Sequence, residues 1–138
     1  MARTSKVCPV VVRLFDGRHE VLAFMHPVAG KQFVKGTVES DEQPLDAARR
    51  ELREESGLNS PETLIFLGIR NIGEKLQPWH FFEWRSTGLP NAWAHQTEDD
   101  HGHVFSFFWH PLDLPLGNEW HPIFHEAFDF FAPLISAH

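Results

Sequence analysis

Apolar positions in this chain come in short blocks separated by polar breaks, and the spacing within the blocks changes along the sequence. Residues 8–15 are rich in valine and read as a strand, Asp16-Gly17-Arg18 as a turn, and residues 19–25 as an antiparallel partner. His26-Pro27-Val28-Ala29-Gly30 breaks that strand, and Gln32-Phe33-Val34 is a short apolar segment ending at Lys35-Gly36. A helix is predicted over 44–56, with Pro44 in its first turn, Gly57 as its stop, and Leu45, Ala48 and Leu52 as its core face. Residues 64–70, 79–84 and 104–109 read as further strands. The stretch 86–103 exceeds the usual ~12–15 residues of a structureless loop, so it is expected to be functional or to contain a short element. Residues 119–135 carry Ile123, Phe124, Phe128, Phe131 and Leu134 near helical spacing, with Pro122 suited to a first turn and Pro133 expected to distort or end the helix. The order strands, helix, strands, helix predicts an α/β (α+β) fold, one domain over 1–138.

Composition narrows the class. With 42% hydrophobic residues in 138, the chain can bury a core without staples. The single cysteine, Cys8, excludes an internal disulfide framework and fits a reducing compartment, so a cytoplasmic location is expected. No apolar run approaches the ~20 residues of a membrane-spanning helix, so no membrane association is expected. Twelve Lys+Arg against 19 Asp+Glu, a net charge of −7, argue against binding long nucleic acid. Taken alone, that charge also argues against phosphate-bearing substrates.

The segment 49–58 runs against its own local physics. On a helix, Glu51, Glu54 and Glu55 fall within an arc of about 100° beside the core face. Like charges at i,i+3 and i,i+4 cost ~0.2–0.5 kcal/mol per pair, and carboxylates in a last turn oppose the helix dipole. Arg50 can offset part of this toward Glu54. Hard divalent cations would resolve the conflict, because Mg²⁺ takes carboxylate oxygens together with substrate phosphates. The plain alternative is a solvated acidic face laced with arginine pairs, in an acidic structural protein.

The preceding loop changes the balance. Gly36, five residues, Glu42, seven residues, Arg50-Glu51-Leu52, one residue, Glu54-Glu55, one residue and Gly57-Leu58 form a pattern that resembles the Nudix box of the Nudix (MutT-like) hydrolases, with every specified position filled. The resemblance implies the family's α/β/α sandwich with a mixed β-sheet. It also implies Mg²⁺- or Mn²⁺-dependent hydrolysis of a pyrophosphate bond in a nucleoside diphosphate derivative, a nucleotide or dinucleoside polyphosphate. By position, Glu51, Glu54 and Glu55 are the implied metal ligands, with the Gly36 carbonyl as a further one. Glu54 is the expected base, and Arg50 joins the catalytic set as the partner that orients or neutralises a carboxylate. Some members place the base on a later loop, where Glu98, Asp99 and Asp100 stand here. Glu42 would support the loop–helix junction, and Asp41 stands where many members have glycine. A nucleotide-binding sensor of the same type is the alternative, although it has no need of a crowded carboxylate cluster.

Outside the box, Lys31, Lys35, Arg70 and Lys75 are candidate phosphate contacts, with Lys35 preferred. Trp79, Trp84 and Trp93, with Phe81 and Phe82, are candidate base-stacking residues, and Trp93 in the long loop is preferred. His80, His101 and His103 lack transition-metal spacing and are expected to be structural or solvated. The partner expected is a small phosphorylated molecule, and a homodimer is left open. Seven acids against three arginines between Gly36 and Leu58 hold −4 of the −7 charge. The acidity that seemed to exclude phosphates is thus the expected socket for the cations that recruit them.

Overall fold

The turn at Asp16 and Gly17 closes a hairpin between β1 (Lys6–Phe15) and β2 (Arg18–His26), with Val12 opposite Val21. The computed structural model describes residues 4–98 and 100–136, with Asp100 and Ser136 described by backbone alone. After β2 come β3 (Gly30–Gln32), β4 (Gly36–Thr37), α1 (Pro44–Ser56), β5 (Ile65–Ile72), β6 (Gln77–Arg85), β7 (Trp93–Gln96), β8 (Val104–Pro111) and α2 (Pro122–Ser136). One mixed sheet runs β5-β6-β1-β2-β8-β7, with β3 against β2 and β4 against β1. β6 lies parallel to β1, and the other pairings are antiparallel.

β1 is covered on both faces, which is why its sequence is nearly continuous valine rather than alternating polar and apolar. Cys8, Val10 and Val12 face the layer of α2, packing with Trp79, Phe81, Phe124 and Phe131. Val7 faces the other way, onto Ala47 and Ala48 of α1, and Val11 joins Leu52. The result is an α/β/α sandwich. Pro9 is tolerated in a central strand because it falls between the residues that pair with β4 (Lys6, Val7) and those that pair with β2 (Val12 to Phe15). Burial pushes the Cys8 thiol well above its ordinary value, so this cysteine is a packing residue.

The long loop contains the short element its length allowed: β7, a four-residue edge strand against β8. The structure corrects other boundaries. α2 starts at Pro122 rather than 119, because Trp120 bridges to Lys31 before the helix begins. Pro133 does not end it; the helix runs three residues further, to Ser136. Leu134 faces outward at 38% exposure while Ile135 is fully buried, continuing the 124, 128, 131 stripe. On α1 the core face is Ala47, Ala48 and Leu52, with Leu45 half-buried. Among the described residues, no helix is long and apolar enough to cross a membrane.

Candidate active site

α1 begins and ends where its punctuation says. Pro44 stands in the first turn behind an extended Gln43, and Gly57 closes the last turn at φ 81°, its N–H donating to the Arg53 carbonyl at 2.9 Å. β4 feeds the helix through a tight turn, in which the Glu42 N–H reaches the Glu39 carbonyl at 3.1 Å and the Glu39 N–H reaches Glu42 Oε1 at 3.0 Å. Asp41 supplies the left-handed residue of that turn, at φ 65°. Aspartate is among the few L-residues that tolerate this region, and glycine would suit it better.

Arg50 ties loop to helix, and its three nitrogens divide the work. Nε donates to Glu42 Oε2 at 2.8 Å, and Nη2 donates to Glu42 Oε1 at 3.0 Å and to the Thr37 carbonyl at 2.9 Å. Nη1 turns to the helix carboxylates instead, donating to Glu51 Oε1 at 2.9 Å and Glu54 Oε2 at 3.2 Å. These bonds, the one to Glu42 foremost, hold the Arg50 guanidinium above its ordinary range and the Glu42 carboxyl below its own.

Glu51 is buried at 9% exposure, on the inner side of the acidic stripe. Burial pushes its carboxyl up, against the pull of Arg50 and of a hydrogen bond with Glu55, while the charge of Glu54 adds to the rise. Gly36 lies directly against it: a β-carbon there would overlap the Glu51 carboxyl carbon. That close approach is the physical reason for a glycine at this position, whose backbone is not left-handed. Among the described residues, no three His, Cys, Asp or Glu side chains already converge as a cation site. Two of the acidic set, Glu51 and Glu54, are drawn to Arg50 Nη1.

β7 clamps the far end of α1. Trp93 Nε1 donates to the Ser56 carbonyl at 3.0 Å, and His95 Nε2 lies 3.2 Å from the Glu54 carbonyl. The Trp93 ring stacks on Phe107 at 5.1 Å, so one of its faces is already occupied. Glu98 follows β7 and is exposed; Asp99 and the Asp100 side chain lie outside the described residues. Trp79 and Phe81 are buried in the α2 layer and Phe82 under α1, with Trp84 half-buried beside it. The His103 ring sits against those of His26, at 4.9 Å, and His101, at 6.1 Å.

Lys6, which no motif marks, also enters the site. Its strand pairing puts it opposite Thr37, and its Nζ donates to Thr37 Oγ1 at 2.7 Å. Desolvation, then the charge of Lys35, lowers its pKa, and Glu51 and Glu55 oppose that fall. Lys35 itself lines the neighbouring cavity.

The NUDIX domain family model matches residues 5–128. No curated protein matches the chain. Among solved structures, the NUDIX domain of Shewanella oneidensis NrtR, in complex with ADP ribose, superposes with a TM-score of 0.68 at 14% identity, covering 100% of this chain and 90% of that one. A C. elegans Ap4A hydrolase in a binary complex gives 0.68 at 18% identity, covering 97% and 100%. A MutT protein from Methanosarcina mazei Go1 gives 0.64 at 15% identity, covering 96% and 94%. At these identities the likeness shows the fold.

Proposed function

Because this chain belongs to the NUDIX domain family, we propose that it hydrolyses a pyrophosphate bond in a nucleoside diphosphate derivative, with Mg²⁺ or Mn²⁺ held at the junction of β4 and α1. The observation that carries this reading is the packing of Gly36 onto the buried Glu51 carboxyl, with Glu54 and Glu55 on the same helix and Arg50 tying the set together. The donor set fits a hard divalent cation, since every group in it is oxygen. Glu51, Glu54, Glu55 and the Gly36 carbonyl would hold it. The bound ion would neutralise phosphate charge and lower the pKa of water.

The chain's own residues supply anchoring and proton transfer. Arg50 keeps the loop fixed through Nε and Nη2, whatever becomes of the carboxylates on Nη1. Water oxygen bonds to phosphorus, the bridging P–O bond breaks with its electron pair leaving on the departing phosphate, and the water proton passes to Glu54. Glu98 is the alternative base, on the loop that follows the α1 clamp. Lys35 meets a substrate phosphate, and Trp93 offers the ring face away from Phe107 to a base.

The test is a hydrolysis screen of nucleoside diphosphate derivatives with Mg²⁺ or Mn²⁺ and with EDTA, with products identified after reaction in ¹⁸O-water. Turnover abolished by EDTA is expected. Replacing the true base by glutamine, Glu54→Gln or Glu98→Gln, lowers kcat by about 10²–10⁴. Divalent cations should raise Tm in the wild type, because only the folded state assembles the site, and not in Glu51→Gln. Tight nucleotide binding without turnover on any member would make the protein a sensor instead.

A further inference from the structure

The chain has four lysines, and three of them, Lys6, Lys35 and Lys75, line one cavity of about 560 Å³. The fourth, Lys31, is paired with Glu119 at 2.7 Å. The three come from separate places: the start of β1, the residue before β4, and the turn between β5 and β6. In a protein of net charge −7, this is a local reversal of sign. Neither Lys35 nor Lys75 forms an ion pair among the described residues. Lys6 feels the charge of Lys35. Positive charge gathered along one wall favours an anion there.

The cavity also contains acids, and they do not cancel the lysines equally. Glu126 is engaged by the Gly73 N–H at 3.3 Å, which fixes the turn that carries Lys75. Glu74 is exposed on the same turn. Buried Trp79 and Ile72 contribute apolar wall.

Position gives the cavity its meaning. Lys35 precedes Gly36, which lies on the Glu51 carboxyl, and Lys6 senses the charge of both Glu51 and Glu55. A phosphate chain held at the carboxylates can therefore run past Lys6 and Lys35 toward Lys75. A substrate with only two phosphates joined to a neutral sugar puts no anionic group at that far end. A substrate with three or more consecutive phosphates does.

Resting on the hydrolase reading above, we infer that this cavity selects substrates with at least three consecutive phosphates, and that Lys75 is the specificity-determining residue that reads the phosphate beyond the scissile pair. The contact is made to bound substrate in ground and transition state alike, so it acts on KM rather than kcat.

The experiment compares a nucleoside triphosphate and a dinucleoside tetraphosphate with a nucleoside diphosphate linked to a neutral sugar, on wild type, Lys75→Gln and Lys75→Arg. Wild type should favour the polyphosphates in kcat/KM. Lys75→Gln should lose about tenfold on them, through KM, and change less than about twofold on the sugar diphosphate. Lys75→Arg should recover most of the loss. A second readout needs no turnover: by calorimetry in EDTA, inorganic tripolyphosphate should bind wild type more tightly than Lys75→Gln, with the difference shrinking as salt rises. Equal losses on both substrate classes, or wild-type preference for the sugar diphosphate, overturn the inference and leave the hydrolase reading standing. Lys75-dependent tripolyphosphate binding without turnover on either class removes the hydrolase reading and overturns the claim of substrate selection, leaving Lys75 as a polyphosphate contact only.

Discussion

Arg50 and Glu42, eight residues apart, form a two-pronged pair, Nε to Oε2 at 2.8 Å and Nη2 to Oε1 at 3.0 Å. Both side chains are largely withdrawn from solvent, at 18% and 16% exposure. The fork therefore acts as a brace between the 36–43 loop and α1 rather than as a screened surface pair. Lysine keeps the charge and loses the fork, along with the bond to the Thr37 carbonyl. Arg50→Lys should cost about 1–3 kcal/mol of stability in metal-free protein, read from urea unfolding.

Asp41 makes the same loop carry a local penalty. At φ 65° it occupies a region that costs an L-residue ~1–2 kcal/mol, less for aspartate. Asp41→Gly removes that strain and returns part of the gain as unfolded-state entropy. The expected net is a stabilisation of about 0.5 kcal/mol, seen as a higher denaturant midpoint with an unchanged m-value. A lower midpoint would mean that the Asp41 side chain holds the turn.

How much of this was legible depends on whether the signal is local. The bounds of α1 are written in neighbouring residues, Pro44 and Gly57, and the structure places them there. β7 is not: Trp-Ala-His-Gln is too short for a period and lies in a polar loop, and only its pairing with β8 makes it a strand. The acidic stripe was readable from helical spacing, whereas its inner member, Glu51, was not distinguishable from Glu54 and Glu55 until Gly36 was seen against it. The lysine cavity was the least legible feature. Residues 6, 35 and 75 share no motif, and they meet because β4 returns to the start of β1 and β5 turns back as β6 beside it.

His80 gives the pH dependence a sign. It lies on β6 between Val7 of β1 and Ile69 of β5, and desolvation lowers its pKa below 6.5. The folded state then binds this proton less readily than the unfolded state. Stability from His80 is present above 6.5, falls as pH drops through 6.5, and levels off below the folded value. His80→Gln should flatten the stability profile between pH 7 and 5 relative to wild type. An NMR titration should place the His80 imidazole below 6.5; a value at 6.5 would abolish the expected slope and one above it would reverse the sign.

Gly36 and Glu51 provide the sharpest test of the site's geometry. Alanine at 36 has no backbone reason to fail, since the residue is not left-handed; its difficulty is the Glu51 carboxyl, which supplies all three nearest atoms to the added methyl. Gly36→Ala should therefore cost about 1–3 kcal/mol, as overpacking against a buried side chain does. In a Glu51→Ala background the opposing atoms are gone, so the same methyl should cost less than about 0.5 kcal/mol, leaving a coupling of roughly 0.5–3 kcal/mol between the two positions. Urea unfolding of the two single variants and the double variant closes the cycle. A penalty that persists in the absence of the carboxyl would place the constraint in the backbone of β4. In that case the glycine would serve the strand rather than the close approach on which the proposed cation site depends.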